Sequence, residues 1–197
     1  MDKAERRQQL LTHARDVFAK QGFHASTVDD IVHAAHVARG TFYLYFEDKR
    51  AVFEELVDRF LAKLGMSILR VDPLDPSRSV ESQVRENISR VLEVTLDDRA
   101  TAKLLLTGAQ GIDPAFDRKL ASFYGELLTL LDESYTEGRE LGIIVDGPKT
   151  SLLAVMSLGA FRELLIQIVD RDLDAERDEI VEALSIFLKH GLLKSFA

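Results

Sequence analysis

Apolar residues recur along most of the chain at spacings of three and four, and strict alternation over more than four residues is scarce. That period predicts an all-α protein of about nine helices. The first runs from about Lys3 to Lys20, with Leu10, Leu11, Ala14, Val17 and Phe18 on one side, and stops at Gly22, where a left-handed residue suits a helix end. Thr27, three residues before Asp30, has capping-box spacing and opens a second helix whose apolar side is Val28, Ile31, Val32 and Ala35. After a break at His36 come a very short helix over Arg39 to Tyr45 and a long one from Lys49 to about Arg70, with Asp48 as its cap. This is helix-turn-helix spacing. The stretch VDPLDPSRS, with both of its prolines, reads as a linker, and further helices are expected at Ser79–Leu96, Arg99–Gly108, Pro114–Leu141, Pro148–Arg171 and Ala175–Lys194.

The short third helix carries unusual chemistry: RGTFYLYFEDKR holds four aromatics in five residues, bracketed by basic residues. Phe42 and Phe46, four apart, share the side that must pack on the first two helices. Arg39, Gly40, Thr41, Tyr43, Leu44 and Tyr45 fill the rest of its circumference, and several of them must face outward. A helix fits the DNA major groove, where Arg bonds two acceptors of guanine, Thr and Tyr meet phosphates or base edges, and Leu meets a thymine methyl. Gly40 lets the backbone approach closely. Thr27 and Lys49 each open a helix, where free amides and the positive helix end favour a phosphate. The basic run Lys3, Arg6 and Arg7 is expected to serve as an arm along the backbone or into the minor groove.

The span TVDDIVHAAHVARGTFYLYFEDKRAVFEEL, Thr27 to Leu56, resembles the DNA-binding signature of the TetR family of bacterial transcriptional regulators. The matching pattern is T-hydrophobic-x-x-I-x-x-A, then V-x-x-G-T-F-Y-x-Y-F, then a lysine opening the next helix. The resemblance implies a homeodomain-like three-helix domain over residues 1–48 and a helical ligand-binding and dimerisation domain over 49–197, with 49–70 the linking helix. It also implies backbone contacts from Thr27, Thr41, Tyr43, Tyr45 and Lys49, and base contacts near Arg39 and Gly40. Two positions depart from the pattern. His36 stands where glycine is usual, tolerable because His is enriched at positive φ. Ala38 replaces a capping Ser or Thr, whose loss costs about 1 kcal/mol.

Composition narrows the alternatives. The 197-residue chain is 46% hydrophobic, enough for a substantial core, and its lack of cysteine removes disulfides, thiolate metal sites and cysteine nucleophiles. A charged N-terminus, MDKAERRQQLL, and an apolar region near 152–169 interrupted by Arg162, Glu163 and Gln167 lead us to expect a cytoplasmic protein without a membrane segment. Net charge is -8, which argues against indiscriminate coating of nucleic acid. Yet residues 1–50 hold eight Lys/Arg against seven Asp/Glu, so their balance is +1 and the remainder carries -9. His33 and His36 have H-x-x-H spacing, but they straddle a helix end and a turn, so no metal or other cofactor is expected. No triad order, phosphate loop or inward carboxylate pair emerges, and an enzyme is not expected. An interaction module or small-molecule carrier that has lost DNA binding is the competing reading, motivated by Asp29, Glu47 and Asp48 near the proposed surface.

The last two helices demand more burial than one chain offers. Leu152, Val155, Leu158, Phe161, Leu165 and Ile168 spread around the eighth helix, while Gly159 and Ala160 permit close approach. The ninth has two apolar stripes, Ile180, Leu184, Phe187 and Gly191 beside Val181, Leu188 and Leu192. A two-fold four-helix interface, two helices from each copy, answers both, with Val155, Gly159, Arg162, Ile166, Ile180, Leu184, Phe187 and Gly191 as its candidates. The resemblance further implies an effector pocket on helices bearing Phe60, Leu64, Ile68, Leu92, Leu96, Leu105, Phe123, Leu127, Met156 and Phe161, with polar candidates Tyr124, Gln110 and Arg162. The expected effector is largely apolar or aromatic, and its binding should shift the dimer away from operator spacing.

Overall fold

The computed structural model describes residues 2–108, 112 and 114–192. Among these, the chain is all-α. Three helices, α1 (Lys3–Gln21), α2 (Val28–Ala34) and α3 (Arg39–Tyr43), precede the long α4 (Lys49–Ser67). Then come α5 (Val80–Asp97), α6 (Arg99–Lys103), which continues as a π-helical turn over Leu104–Gly108, and α7 (Pro114–Glu140), α8 (Thr150–Asp170) and α9 (Arg177–Leu192).

Local chemistry sets the boundaries. The Asp2 side chain accepts from the Glu5 amide and Glu5 returns the bond, closing a capping box on α1; Thr27 and Asp30 do the same on α2. Asp48 accepts from the Ala51 amide at 2.8 Å and so starts α4. Gly22, at φ 82, turns the chain out of α1 and donates its amide to the Phe18 carbonyl at 2.8 Å. His36 does take positive φ, at 53, and Ala38 gives α3 no side-chain cap. Helix α4 ends at Ser67, three residues sooner than expected. Two side-chain amides of α5 grip the chain that follows: Asn87 bonds both amide and carbonyl of Leu69, and Gln83 does the same for Asp72. In the linker, Ser77 hydrogen bonds and Arg78 hold the Asp75 carboxyl down to about 2.

The core begins between α1, α2, α3 and the first turns of α4, where Leu10, Ala14, Phe18, Phe42 and Val52 are fully enclosed. Phe18, Phe23 and Phe53 form a ring cluster with centroids 4.8–5.7 Å apart. Phe53 also meets Phe116, in the first turn of α7, at 5.3 Å, so the apolar interior runs on without a break into the C-terminal helices. There α7 packs along α8 and α5 along α9. A small second cluster, Ile144, Leu153 and Leu192, closes the far end.

Candidate nucleic-acid interface and effector cavity

Helix α3 divides by side chain. Phe42 is fully enclosed, whereas Leu44 is 75% exposed and Arg39, Gly40 and Tyr43 also face solvent. Thr41 and Tyr45 are half-buried. A side-chain carbon added at Gly40 would meet no atom within 4 Å, so nothing inside the protein requires glycine there. The Arg39 guanidinium is poised but engaged: Nη1 donates to both Asp29 oxygens at 3.0 and 2.9 Å, Nη2 donates to the Tyr43 hydroxyl at 3.4 Å, and the group lies 5.9 Å from that ring. Thr27, at the exposed start of α2, holds its hydroxyl against Asp30, and these hydrogen bonds lower the Asp30 pKa.

Three expectations for basic residues change. The Lys49 ammonium donates to the carbonyls of Phe23 at 2.7 Å, His24 at 3.2 Å and Ser26 at 2.7 Å, so all three of its donors tie the α1–α2 turn to α4 and none is left for a phosphate. Lys3 and Arg6 lie within the first turns of α1, and Arg6 donates to Gln9 at 2.7 Å. These two side chains therefore project from a helix rather than from an extended segment. Arg7 turns inward instead, over the Phe46 ring at 4.3 Å, donating to the Tyr45 carbonyl at 2.8 Å and pairing with Glu55. Burial pushes the Glu55 carboxyl up, but Arg7 and Arg59 outweigh it and leave the pKa lowered.

The C-terminal helices surround a cavity of about 250 Å³. Of the residues expected there, Phe60 and Leu64 of α4, Ile68 just past its end, Leu105 of the π-helical turn, Phe123, Tyr124 and Leu127 of α7 and Phe161 of α8 all line it. Leu92 does not, because it is fully buried on the side of α5 turned into the core. Met156 does not either: it is 65% exposed on the outer side of α8. Gln110 lies outside the described residues. Sequence reasoning missed Val84, Ile88 and Val91, which form the lining stripe of α5 and share the spacing of three and four that marked its apolar side. It also missed Tyr135, whose hydroxyl pKa burial raises while a hydrogen bond with Ser157 opposes the shift. A smaller cavity of about 100 Å³ adjoins the first and shares Val71, Val84, Ser134, Tyr135 and Leu188 with it.

The residues expected to pair two copies fall into two groups. Val155, Gly159, Phe187 and Gly191 are exposed and Ile166 is half-buried. Ile180 and Leu184 are enclosed within the protomer at 4% and 7% exposure, on the part of α9 that packs against α5, and so cannot form an outer face. Arg162 lines the large cavity, donating to the Tyr124 hydroxyl at 3.3 Å and the Leu106 carbonyl at 3.0 Å, rather than standing free on the outer side of α8.

Residues 10–56, from α1 into α4, match the family model for "Bacterial regulatory proteins, tetR family". The HTH-type transcriptional repressor KstR2 of Rhodococcus jostii is 30% identical over 157 residues, covering 75% of this chain and 67% of that repressor. The chain belongs to the TetR family. Its TetR relatives also include the fatty acid metabolism regulator protein of Bacillus subtilis, 27% identical over 165 residues, 83% of this chain and 84% of the relative. The structure of the Bacillus subtilis regulator FadR in complex with stearoyl-CoA superposes with a TM-score of 0.70 at 25% identity, over 92% of this chain and 96% of that one. Such TetR neighbours share the N-terminal helix-turn-helix and the helical C-terminal half seen here.

Proposed function

We propose that this TetR-family protein, a ligand-responsive DNA-binding transcriptional regulator, is a cytoplasmic repressor that binds a palindromic operator as a homodimer and releases it when an effector with a long apolar chain fills the cavity. The observation that carries the reading is the outward side of α3. Its buried Phe42 anchors the helix while Arg39, Gly40, Tyr43 and Leu44 stay at the surface, Tyr43 with only its ring edge against Phe42. Arg39 is the candidate for guanine and Leu44 for a thymine methyl. Tyr43 and Thr41 are candidates for phosphates. The overall negative charge keeps attraction to DNA local, so binding depends on fit.

Dimerisation is supported by the apolar residues that α8 and α9 leave outside. Leu152, Val155 and Met156 of α8 and Ile186 and Phe187 of α9 are all about half exposed or more. Helix α8 is apolar and long enough to cross a membrane by length and composition alone, yet only 28% of its most apolar window is buried within the protomer. Pairing α8 and α9 with their copies in a four-helix interface would cover this face. It would also set two recognition helices about 34 Å apart, one DNA turn. A long-chain effector is supported by the apolar lining of the cavity and by the stearoyl-CoA complex of the FadR relative.

Selection of bound sites from random DNA tests the reading directly. Enrichment of an inverted repeat with half-sites one turn apart is the expected result. Absence of any enriched sequence, with weak binding to mixed DNA, would instead favour an interaction module. Val155→Asp should yield monomers in sedimentation that no longer hold the selected site.

A further inference from the structure

The large cavity is apolar along most of its wall, and of the two arginines that line it Arg70 is paired with Glu137 at 3.0 Å, which leaves Arg162 as the cation to account for. Most arginines of this protein, including Arg7, Arg39, Arg70 and Arg177, sit against a carboxylate. Arg162 does not. Among the described residues its Nε donates to the Tyr124 hydroxyl at 3.3 Å and its Nη2 to the Leu106 carbonyl at 3.0 Å, and no carboxylate lies within ion-pair distance. Two neutral acceptors leave part of a guanidinium's donor fork unused, and a cation beside an apolar wall with no counter-charge is short of compensation for lost water. A carboxyl group is the natural complement of such a fork.

The rest of the cavity runs away from Arg162 along α7. Tyr124 and Tyr135 both line it and stand eleven residues apart on that helix, about 16 Å at helical rise. Leu127 and Leu131 of α7 lie between them, with Val91 of α5 among the other apolar lining residues. Past Tyr135 the smaller cavity continues the space. Arg162 itself is only half-buried, so a bulky group attached at the head has a way toward solvent.

We infer that the effector is an aliphatic acyl compound whose head oxygen atoms are received by Arg162, with Tyr124 orienting the guanidinium, and whose tail lies along α7 toward Tyr135. This rests on the reading of the cavity as the effector site. The free carboxylate and its thioester share the acyl oxygen, and they differ in the charge offered to Arg162.

Calorimetric titration of the full-length protein with dodecanoate, dodecanoyl-CoA and dodecan-1-ol tests the assignment. The wild type should bind at least one acyl form tenfold or more tighter than the alcohol, and the better of the two identifies the source. Arg162→Gln should erase that advantage while alcohol binding stays within about twofold, and Arg162→Lys should restore part of it. Because Arg162 also holds the Leu106 carbonyl, circular dichroism must show the variant folded. Should it not fold, Tyr124→Phe replaces it, and a narrowed gap between acyl and alcohol ligands is expected. Equal affinities for all three ligands in the wild type, or an acyl advantage untouched in Arg162→Gln, overturns the role of Arg162 and leaves the cavity as an effector site. Binding of none of the three overturns both.

Discussion

In the DNA-reading half, Phe18, Phe42 and Phe53 are at most 1% exposed and their neighbours close around them, whereas in the sensing half α4, α5, α7 and α8 surround about 250 Å³ that no side chain fills. The reader also spends its polar groups inward. Lys49 holds three carbonyls of one turn and Arg7 clamps α1 to the turn after α3 and to α4. The sensor leaves Arg162 short of partners and an apolar face open on α8 and α9. Close packing gives the first a single shape to present to DNA, and the unfilled space gives the second room for more than one arrangement. A ligand that fills it acts only through its preference among those arrangements.

The contrast is broken most severely from the tight side. Phe42→Ala should cost about 3–5 kcal/mol in urea unfolding and abolish DNA binding, while Leu44→Ala, at the exposed residue that ends the same short helix, should change stability by no more than about 0.5 kcal/mol and still weaken DNA binding. Lys49→Met comes next, at about 2 kcal/mol for the lost charged hydrogen bonds. Its affinity for DNA should fall without altering the slope of log K against log salt. A slope shallower by about 0.9 would instead mean that the ammonium neutralises a phosphate. On the loose side, Ala160→Leu grows into the cavity and should shift stability by less than about 1 kcal/mol, yet effector should no longer release the operator in a mobility-shift titration. The smallest effect is expected from Asp29→Asn. Thermal unfolding should be unchanged and DNA affinity should rise a few fold, because Arg39 no longer leaves a carboxylate to reach a base.

Most helix boundaries were legible in the sequence because they depend on neighbours: Thr27 with Asp30, Asp48 with Ala51, Gly22 after α1. Phe42 against Leu44 was legible for the same reason, since helical spacing separates the two sides of α3. What failed depends on distant partners. Lys49 reads as a free cation at a helix start, and only the fold brings the Phe23, His24 and Ser26 carbonyls around it. On α9 the stripe of Ile180, Leu184, Phe187 and Gly191 reads as one face, and the pattern does not show that its first two residues are enclosed beside α5 while Phe187 is half exposed. Leu92 and Met156 show the same limit for the cavity: being apolar on the right helix did not fix which part of its circumference met the space.

The contact between Phe53 and Phe116 bears on how this protein can be rebuilt. A DNA-binding head can be spliced onto a foreign sensor only if its core is complete without the helices left behind. Here the head's interior borrows an aromatic ring from the foot of α7, a helix that also walls the cavity. A chimera cut within α4 would strip that ring away and leave Phe53 facing whatever the new sensor supplied. Grafts from this molecule should therefore bring the first turn of α7 along, or choose a recipient with an aromatic residue at the matching place.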